Sequence, residues 1–309
     1  MMFGLTINLN GYFNMIIVTG GFGFIGSNII KELNKIGKSD IIVVDDLTNG
    51  HKFKNLVNCQ FSDYYDLEDF FEKFPKKNWN KVEQIYHEGA ISSTTEWNGK
   101  LIMQNNYKFS IEILNKCLEY NIPFSYASSA SVYGSTKHFK EEGQLEPLNM
   151  YAYSKYLFDR KVENFLDNNI IQGFRYFNVY GNGEDHKENQ SSPIHNFIKQ
   201  AKETGTIRVF EGSENYKRDF VCVDDIAKIK IEMLQKNVSG IFNAGTGKSI
   251  SFMEVAQIIS NKTKAKIETI PFPDHLKGRY QEFTEANLEK LNSVLNYNWI
   301  TVKDFIEKK

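Results

Sequence analysis

The segment Thr19-Gly20-Gly21-Phe22-Gly23-Phe24-Ile25-Gly26 constrains this chain more than any other. It follows Met15-Ile-Ile-Val-Thr19, a short β-branched run that is apolar on both faces, as a strand buried in a parallel sheet must be. It precedes a helical pattern that puts Ile25, Ile29, Ile30 and Leu33 on one side and stops at Gly37. A second buried run, Ile41-Ile-Val-Val44, ends on Asp45 and Asp46. Parallel strands need a crossover of this kind, so the stretch reads as a βαβ unit.

The glycines at 20, 23 and 26 recur every third residue. Gly20 permits the tight turn, Gly23 lets the backbone approach a pyrophosphate, and Gly26 lets the helix pack close. The free N–H groups at the helix start bind phosphate oxygens. Asp45 ends the next strand, about 20 residues on, where a carboxylate meets the ribose of an adenine dinucleotide. A bare tight turn is the plainer reading, but the flanking elements complete the dinucleotide fingerprint. Asp45 and Asp46 favour a free ribose, hence NAD. Lys52 and Lys54 in the following loop are either cations for a 2′-phosphate or solvated surface lysines.

Further apolar runs at Gln84-Ile-Tyr-His87, Phe124-Ser-Tyr-Ala127 and Gly173-Phe-Arg-Tyr176 are separated by helical patterns over 103–118 and 153–165. This alternation predicts an α/β chain with a Rossmann-type doubly wound parallel sheet. After residue 177 the rhythm changes. Residues 181–190 read as a polar loop, 193–202, 224–234 and 252–259 as helices, and 206–211, 240–244 and 266–271 as strands, with another strand starting at Phe220. Residues 15–176, with about 219–245, are expected to form an NAD(P)-binding domain. Residues 177–218 and 246–309 are expected to form a smaller C-terminal substrate domain. At roughly 150 residues per domain, 309 residues suit two.

Charge and cysteine usage exclude other classes. Lys+Arg is 37 against Asp+Glu 38, so the chain is no globally basic nucleic-acid binder. Cys59, Cys117 and Cys222 are far apart without a C-x-x-C, which fits a reducing compartment and neither a disulfide framework nor a zinc ribbon. There is no H-x-x-x-H pair, and no metal is expected. No apolar run reaches the length of a membrane span. Residues 1–14 are broken by Asn8, Asn10 and Gly11 and lack a positive start, so they do not read as a secretory signal, and Met15 is an alternative start. The expected location is the cytoplasm.

Tyr151-Ala-Tyr-Ser-Lys155 puts Tyr151 and Lys155 on one helix face. A tyrosine base must ionise, and its unperturbed pKa is roughly 10. A nearby ammonium favours the phenolate. The pair alone is equally a surface pair of a helix. Ala127-Ser-Ser-Ala-Ser-Val-Tyr-Gly134 strengthens it, because ligands of open α/β sheets bind at the carboxyl ends of strands. Ser129 is placed there to hydrogen-bond a reacting hydroxyl, or else to cap a turn. Glu88-Gly89-Ala90 follows another strand, and its small residues let the backbone pass close to a cofactor.

In order and spacing these motifs, together with Arg175-Tyr-Phe-Asn-Val-Tyr-Gly181, resemble the extended short-chain dehydrogenase/reductases, nucleotide-sugar branch, from Met15 to about Thr301. His87-Glu-Gly-Ala90, Ser92-Ser-Thr-Thr-Glu-Trp97, the string from Phe210 to Phe220, Pro271-Phe-Pro-Asp274 and Lys277-Gly-Arg-Tyr280 narrow the resemblance to the ADP-L-glycero-D-manno-heptose 6-epimerases.

The resemblance implies a redox epimerisation of ADP-heptose at C6″ through a transient ketone, in lipopolysaccharide inner-core assembly. It implies Ser129, Tyr151 and Lys155 as catalytic, with Lys187 as a second acid/base. By residue type alone Lys187 is a solvated loop lysine. The implied cofactor is NADP, with NAD possible. Phe24, Ile25, Asp45, Asp46, Lys52, Glu88, Gly89, Ala90, Ile91, Ser92, Asn105, Val179 and Lys187 would meet it, beside the loop glycines, Tyr151 and Lys155. Asn178, Phe210, Glu211, Gly212, Ser213, Arg218 and Tyr280 would hold the ADP-sugar. Arg218 suits a diphosphate, which a guanidinium binds bidentately, though a surface salt bridge would also use it. A homo-oligomer is expected. This chain departs from the pattern at Asp46, where Asn is common. It also reads Asn-Gly-Glu-Asp at 182–185 where Pro-Arg-Glu-Gly is usual, and residues 1–14 have no counterpart.

Two other readings stay open. A nucleotide-sugar 4-epimerase shares the Ser/Tyr/Lys set, and turnover of UDP-galactose against ADP-heptose separates them. A 4,6-dehydratase is disfavoured, since elimination needs an acid/base pair where this chain has Ala130-Ser131. A non-catalytic dinucleotide sensor often lacks the tyrosine or lysine, and both are present.

Overall fold

The computed structural model describes residues 14–274 and 281–309. Residues 1–13 and Tyr280 therefore lie outside the described residues. Along the chain run β1 (Met15–Thr19), β2 (Ile41–Asp45), β3 (Asp63–Asp66), β4 (Val82–His87), β5 (Phe124–Ser129), β6 (Ile171–Tyr176), β7 (Asn178–Tyr180), β8 (Thr206–Phe210), β9 (Lys217–Cys222), β10 (Gly240–Ala244), β11 (Ser249–Ser251) and β12 (Lys266–Ile270). Seven of them form one sheet in the order β10-β6-β5-β4-β1-β2-β3. Every pairing in it is parallel.

The strands alternate sides, and each side finds helices. Ile17, Ile42 and Val44 face Phe109, Ile113 and Phe158, from the helices Phe109–Tyr120 and Met150–Val162. Ile16, Val18, Ile41 and Val43 face Ile29, Ile30, Ala227 and Ile231, from Phe24–Lys35 and Val223–Gln235. Strands covered on both faces have no polar side to show, which is why β1 and β2 read as unbroken apolar runs.

Strand order places the functional crevice. From β1 the sheet grows to β2 and β3 on one side and to β4, β5 and β6 on the other. The connections therefore part at the carboxyl ends of β1 and β4, the switch point where ligands of doubly wound sheets bind.

The remaining strands make two small sheets. In one, β9 lies between β11 (antiparallel) and β7 (parallel); in the other, β8 pairs with β12 in parallel. They share an apolar core with the helices Pro193–Thr204, Phe252–Thr263 and Val302–Glu307, built from Phe197, Ile207, Val209, Phe220, Val255 and Phe305. The chain regains the large sheet at Val223–Gln235 and β10. Among the described residues no helix is long and apolar enough to cross a membrane.

Several elements differ from the sequence expectation, among them the strand expected to start at Phe220, which spans Lys217–Cys222 and gives way to a helix at Val223. β3 is Asp-Tyr-Tyr-Asp at the sheet edge, and β7 and β11 span three residues each, so none shows a buried run. The expected helix at 103–118 starts at Gly99 and passes through a π-helical turn, Met103–Lys108. Such turns are frequent at functional sites. This one carries Asn106, a residue of the site described next.

Candidate active site

A cleft of about 440 Å³ opens at the switch point. Its lining brings together most of the residues singled out from the sequence: Gly20, Gly23, Phe24, Ile25 and Gly26 from the loop, Asp45 and Lys52 beyond β2, Glu88 to Ser92 beyond β4, and Tyr151, Lys155 and Lys187. Asp46 and Asn105 line a smaller recess at one end, together with Leu67.

The loop is built to bring backbone close to a ligand. Gly20 has φ +63°, and a Cβ there would stand 2.6 Å from the Gly89 nitrogen. A Cβ on Gly26 would stand 2.3 Å from the Gly20 carbonyl oxygen. Gly26 is thus required where the helix meets the turn itself, not where it meets the sheet. With no side chains in the way, the helix start faces the cleft as a phosphate cradle. At the ribose end the buried Asp45 carboxylate accepts from the Phe22 N–H and from the Lys52 ammonium, at 2.8 and 2.7 Å. A glycine cradle followed by a carboxylate fits a dinucleotide, with its adenosine toward Asp45. A bound nicotinamide ring supplies a hydride acceptor and donor.

Ser129 ends β5, and Tyr151 and Lys155 lie on the helix Met150–Val162. Asn149 caps that helix, its side chain accepting from the Ala152 N–H at 2.8 Å, so Tyr151 and Lys155 fall on the first turns. Lys155 is buried and donates to the Ala127 carbonyl at 2.8 Å. Burial brings its pKa down to about 8, against the opposing pull of Glu88 and Asp159. Burial raises the Tyr151 hydroxyl; its hydrogen bond with Ser129 opposes that rise, and Glu88 adds to it. Ser129 also accepts from Ser131, at 2.8 Å from its hydroxyl and 3.2 Å from its N–H. It is thus both the cap of a short turn and the partner of Tyr151.

Lys187 arrives from the polar loop, and that loop is latched to the cofactor cradle. Asn28 donates to the Asn182 carbonyl at 2.8 Å. Asn55 donates to the carbonyls of Phe22 and Gly183 and contacts His186 Nδ1, at 2.9, 3.3 and 3.2 Å. Glu184, fully buried, accepts from Gly181 and Ser192 and braces the loop from within. Lys187 Nζ stands 5.2 Å from the Phe24 ring centre, and burial lowers its pKa, with Glu184 opposing. The solvated-lysine reading does not describe this side chain.

Several contributors were not singled out from the sequence. Asn106 clamps the Ile91 backbone, accepting from its N–H at 2.8 Å and donating to its carbonyl at 2.9 Å. Tyr176, Ala127, Asn49 and His186 also line the cleft. Asn49 and Asn55 carry no motif for this role, since the partners that tie them to the loop of Lys187 lie more than a hundred residues away.

The residues assigned to the sugar nucleotide are divided. Phe210 and Ser213 line a separate cavity of about 300 Å³ with Arg208, Tyr216, Phe252 and Phe272. Glu211 and Gly212 form the turn after β8, with Gly212 at φ +77°. Arg218 is buried, donates to the carbonyls of Lys217 and Gln281, and lies over the Phe252 ring. Asn178 is half-buried on β7, and Val179 packs among Phe174, Tyr176 and Val221 instead of lining the cleft.

Known proteins share this fold. The model of the NAD dependent epimerase/dehydratase family matches residues 16–245. The ADP-L-glycero-D-manno-heptose-6-epimerase of Helicobacter pylori is 28% identical, with a TM-score of 0.84 over 96% of this chain and 95% of that one. The UDP-glucose 4-epimerase of Thermotoga maritima is 25% identical, with a TM-score of 0.78 over 94% and 97%. The UDP-N-acetylglucosamine 4-epimerase of Methanobrevibacter ruminantium shares the fold at 23% identity, with a TM-score of 0.82 over 95% and 97%. The family match spans the glycine cradle, Asp45, Ser129 and the Tyr151–Lys155 pair, and on it the chain belongs to the NAD dependent epimerase/dehydratase family.

Proposed function

We propose that this chain epimerises ADP-D-glycero-D-manno-heptose to ADP-L-glycero-D-manno-heptose at C6″. The observation that carries the reading is that two acid/base groups line one cleft: Tyr151, hydrogen-bonded to Ser129, and Lys187 from the loop beyond β7. A stereospecific oxidation needs one base. A second group elsewhere in the cleft can handle the proton when the transient ketone presents its other face, which a one-way oxidation has no use for. Tyr151 takes the hydroxyl proton of one epimer, Ser129 orients that hydroxyl, Lys155 holds positive charge beside the phenolate, and Lys187 serves the other epimer. The likeness to the Helicobacter pylori enzyme supports the choice of substrate.

Residues beyond 177, apart from the return through 219–245, serve in this reading to hold the sugar nucleotide, with Phe210 and Ser213 in the second cavity. The resemblance to heptose epimerases carries NADP, a cytoplasmic homo-oligomer and lipopolysaccharide inner-core assembly. The ribose end supports NAD instead: two carboxylates, Asp45 and Asp46, stand there with Lys52, which is already held by Asp45 and by the Asp46 carbonyl.

The test is incubation of purified protein with ADP-D-glycero-D-manno-heptose, with no added cofactor and then with NAD or NADP, followed by chromatography of the 6″-epimers. Conversion to the L-glycero epimer supports the reading. Failure under all three conditions overturns it. The Thermotoga maritima likeness favours one alternative, a UDP-sugar 4-epimerase, and a UDP-galactose assay decides that.

A further inference from the structure

Lys230 is fully buried on the helix Val223–Gln235, and its side chain reaches two residues that line the cleft. Its ammonium donates to the Glu88 carboxylate and to the Tyr176 hydroxyl, the latter at 2.8 Å. The Tyr176 hydroxyl donates to the other Glu88 oxygen at 2.9 Å. The rings of Phe174 and Tyr176 lie 5.2 and 5.3 Å from the ammonium. Glu88 and Tyr176 line the cleft with Tyr151 and Lys155, whereas Lys230 stands behind them.

A buried ion pair is no economical way to fill space. Well-packed apolar residues of similar volume are often as stable or more so. A buried ion pair bridged by a tyrosine hydroxyl, with two of its three members lining the cleft of Tyr151 and Lys155, therefore points to a role in the reaction. We propose that Lys230 is a positioning residue: from behind the sheet it fixes Glu88 and Tyr176 in the cleft floor and balances the Glu88 charge, so that Tyr151 does not face an uncompensated carboxylate.

The inference rests on Tyr151 being the base. The other titratable groups at this floor are His87, Lys155 and, on the loop side, Lys187. His87 is held neutral by burial and by the charges of Lys155 and Lys230. The two members of the pair act on their neighbours with opposite sign. Glu88 opposes ionisation of Tyr151 and supports the charge on Lys155, while Lys230 works against that charge.

The test titrates Tyr151 directly, as the tyrosinate ultraviolet signal that each protein shows over its own Tyr151→Phe counterpart, and so needs no substrate. In Lys230→Met the midpoint is expected to move up by about one pH unit. In Glu88→Gln it moves down, and the double variant returns toward wild type. The kcat–pH profile with the sugar nucleotide should shift in the same order. An unmoved midpoint in folded Lys230→Met overturns the proposal. Should that variant not fold, Glu88→Gln decides: a lowered midpoint supports the proposal and an unmoved one overturns it. If Tyr151→Phe retains turnover, the functional reading fails, and the titration still reports on Lys230.

Discussion

Lys187 holds its ammonium 5.2 Å from the centre of the Phe24 ring, so a residue of the loop beyond β7 stands against the first residue of the cofactor helix. Burial lowers its pKa, so a larger fraction is neutral near physiological pH than for a surface lysine, as a base requires. Lys187→Arg keeps the charge but cannot release a proton. Both Lys187→Ala and Lys187→Arg are expected to slow epimerisation about 10²-fold or more in at least one direction, with dinucleotide affinity nearly unchanged. Wild-type rates in both directions, in either variant, would refute the two-base scheme.

Tyr151→Phe removes only the titrating hydroxyl. Turnover should fall by about 10²–10⁴-fold, the usual range for a lost general acid/base, while dinucleotide binding followed by fluorescence holds. If Tyr151 works as the phenolate, as proposed, the wild-type rate rises with pH on the acid limb, and Ser129→Ala moves that limb upward by removing a hydrogen bond that favours ionisation. Retained turnover in Tyr151→Phe would sink the assignment.

The sequence was legible where local pattern and tertiary role coincide. Ile16 to Val18 and Ile41 to Val44 are buried on both faces, so their composition alone reports a parallel sheet. Tyr151 and Lys155 are one helical turn apart, so spacing alone puts them together. Asp63-Tyr-Tyr-Asp66 is an edge strand with little burial to advertise itself. The π-helical turn at Met103–Lys108 has no local residue signature, although it is what carries Asn106. Lys230 alternates with Ile229 and Ile231 in a run that also holds Lys228, and reads as another solvent-facing lysine. Its partner Glu88 lies in another part of the chain, and only the closed sheet brings them into contact.

Gly26→Ala drives a Cβ into the Gly20 carbonyl oxygen, and the obstacle is backbone that cannot swing away. Overpacking of this kind costs about 1–3 kcal/mol, and the displaced turn should also lose its phosphate cradle. We expect dinucleotide affinity to fall at least tenfold in isothermal titration. Gly50→Ala, which meets nothing within 4 Å, is the control and should change stability by no more than about 0.5 kcal/mol. Equal affinities for Gly26→Ala and wild type would contradict the cradle.

Arg175 ties the helix of Tyr151 and Lys155 to the sheet. Buried beside it, the Asp159 carboxylate accepts from the guanidinium at 3.0 Å, from Ser128 at 2.9 Å and from Tyr126 at 2.9 Å. The same guanidinium donates to the Tyr133 hydroxyl and to the Glu141 carbonyl. Arg175→Met leaves a buried carboxylate without its cation, and should cost about 3–5 kcal/mol in urea unfolding. Arg175→Lys should recover only part, because one ammonium cannot reproduce the planar fork. A loss below about 1 kcal/mol in Arg175→Met is incompatible with this account.

Lys155 carries a stability burden whose sign can be checked. Its pKa in the folded protein is about 8, below the ordinary value of 10.5, because burial opposes the charge. Between those two values the unfolded chain binds more protons than the folded one, so this group makes stability rise with pH across that window. Below about 8 the folded protein holds the buried charge and the burden is complete. Lys155→Met removes it. Although the hydrogen bond to Ala127 is lost, the cofactor-free variant is expected to unfold a few degrees above wild type at pH 7, with the advantage shrinking as pH rises through 8 toward 10. Calorimetric Tm against pH for the two proteins checks this. A variant that melts below wild type at pH 7 and gains on it as pH rises would show that the charge stabilises the fold, with Glu88 and Asp159 outweighing burial.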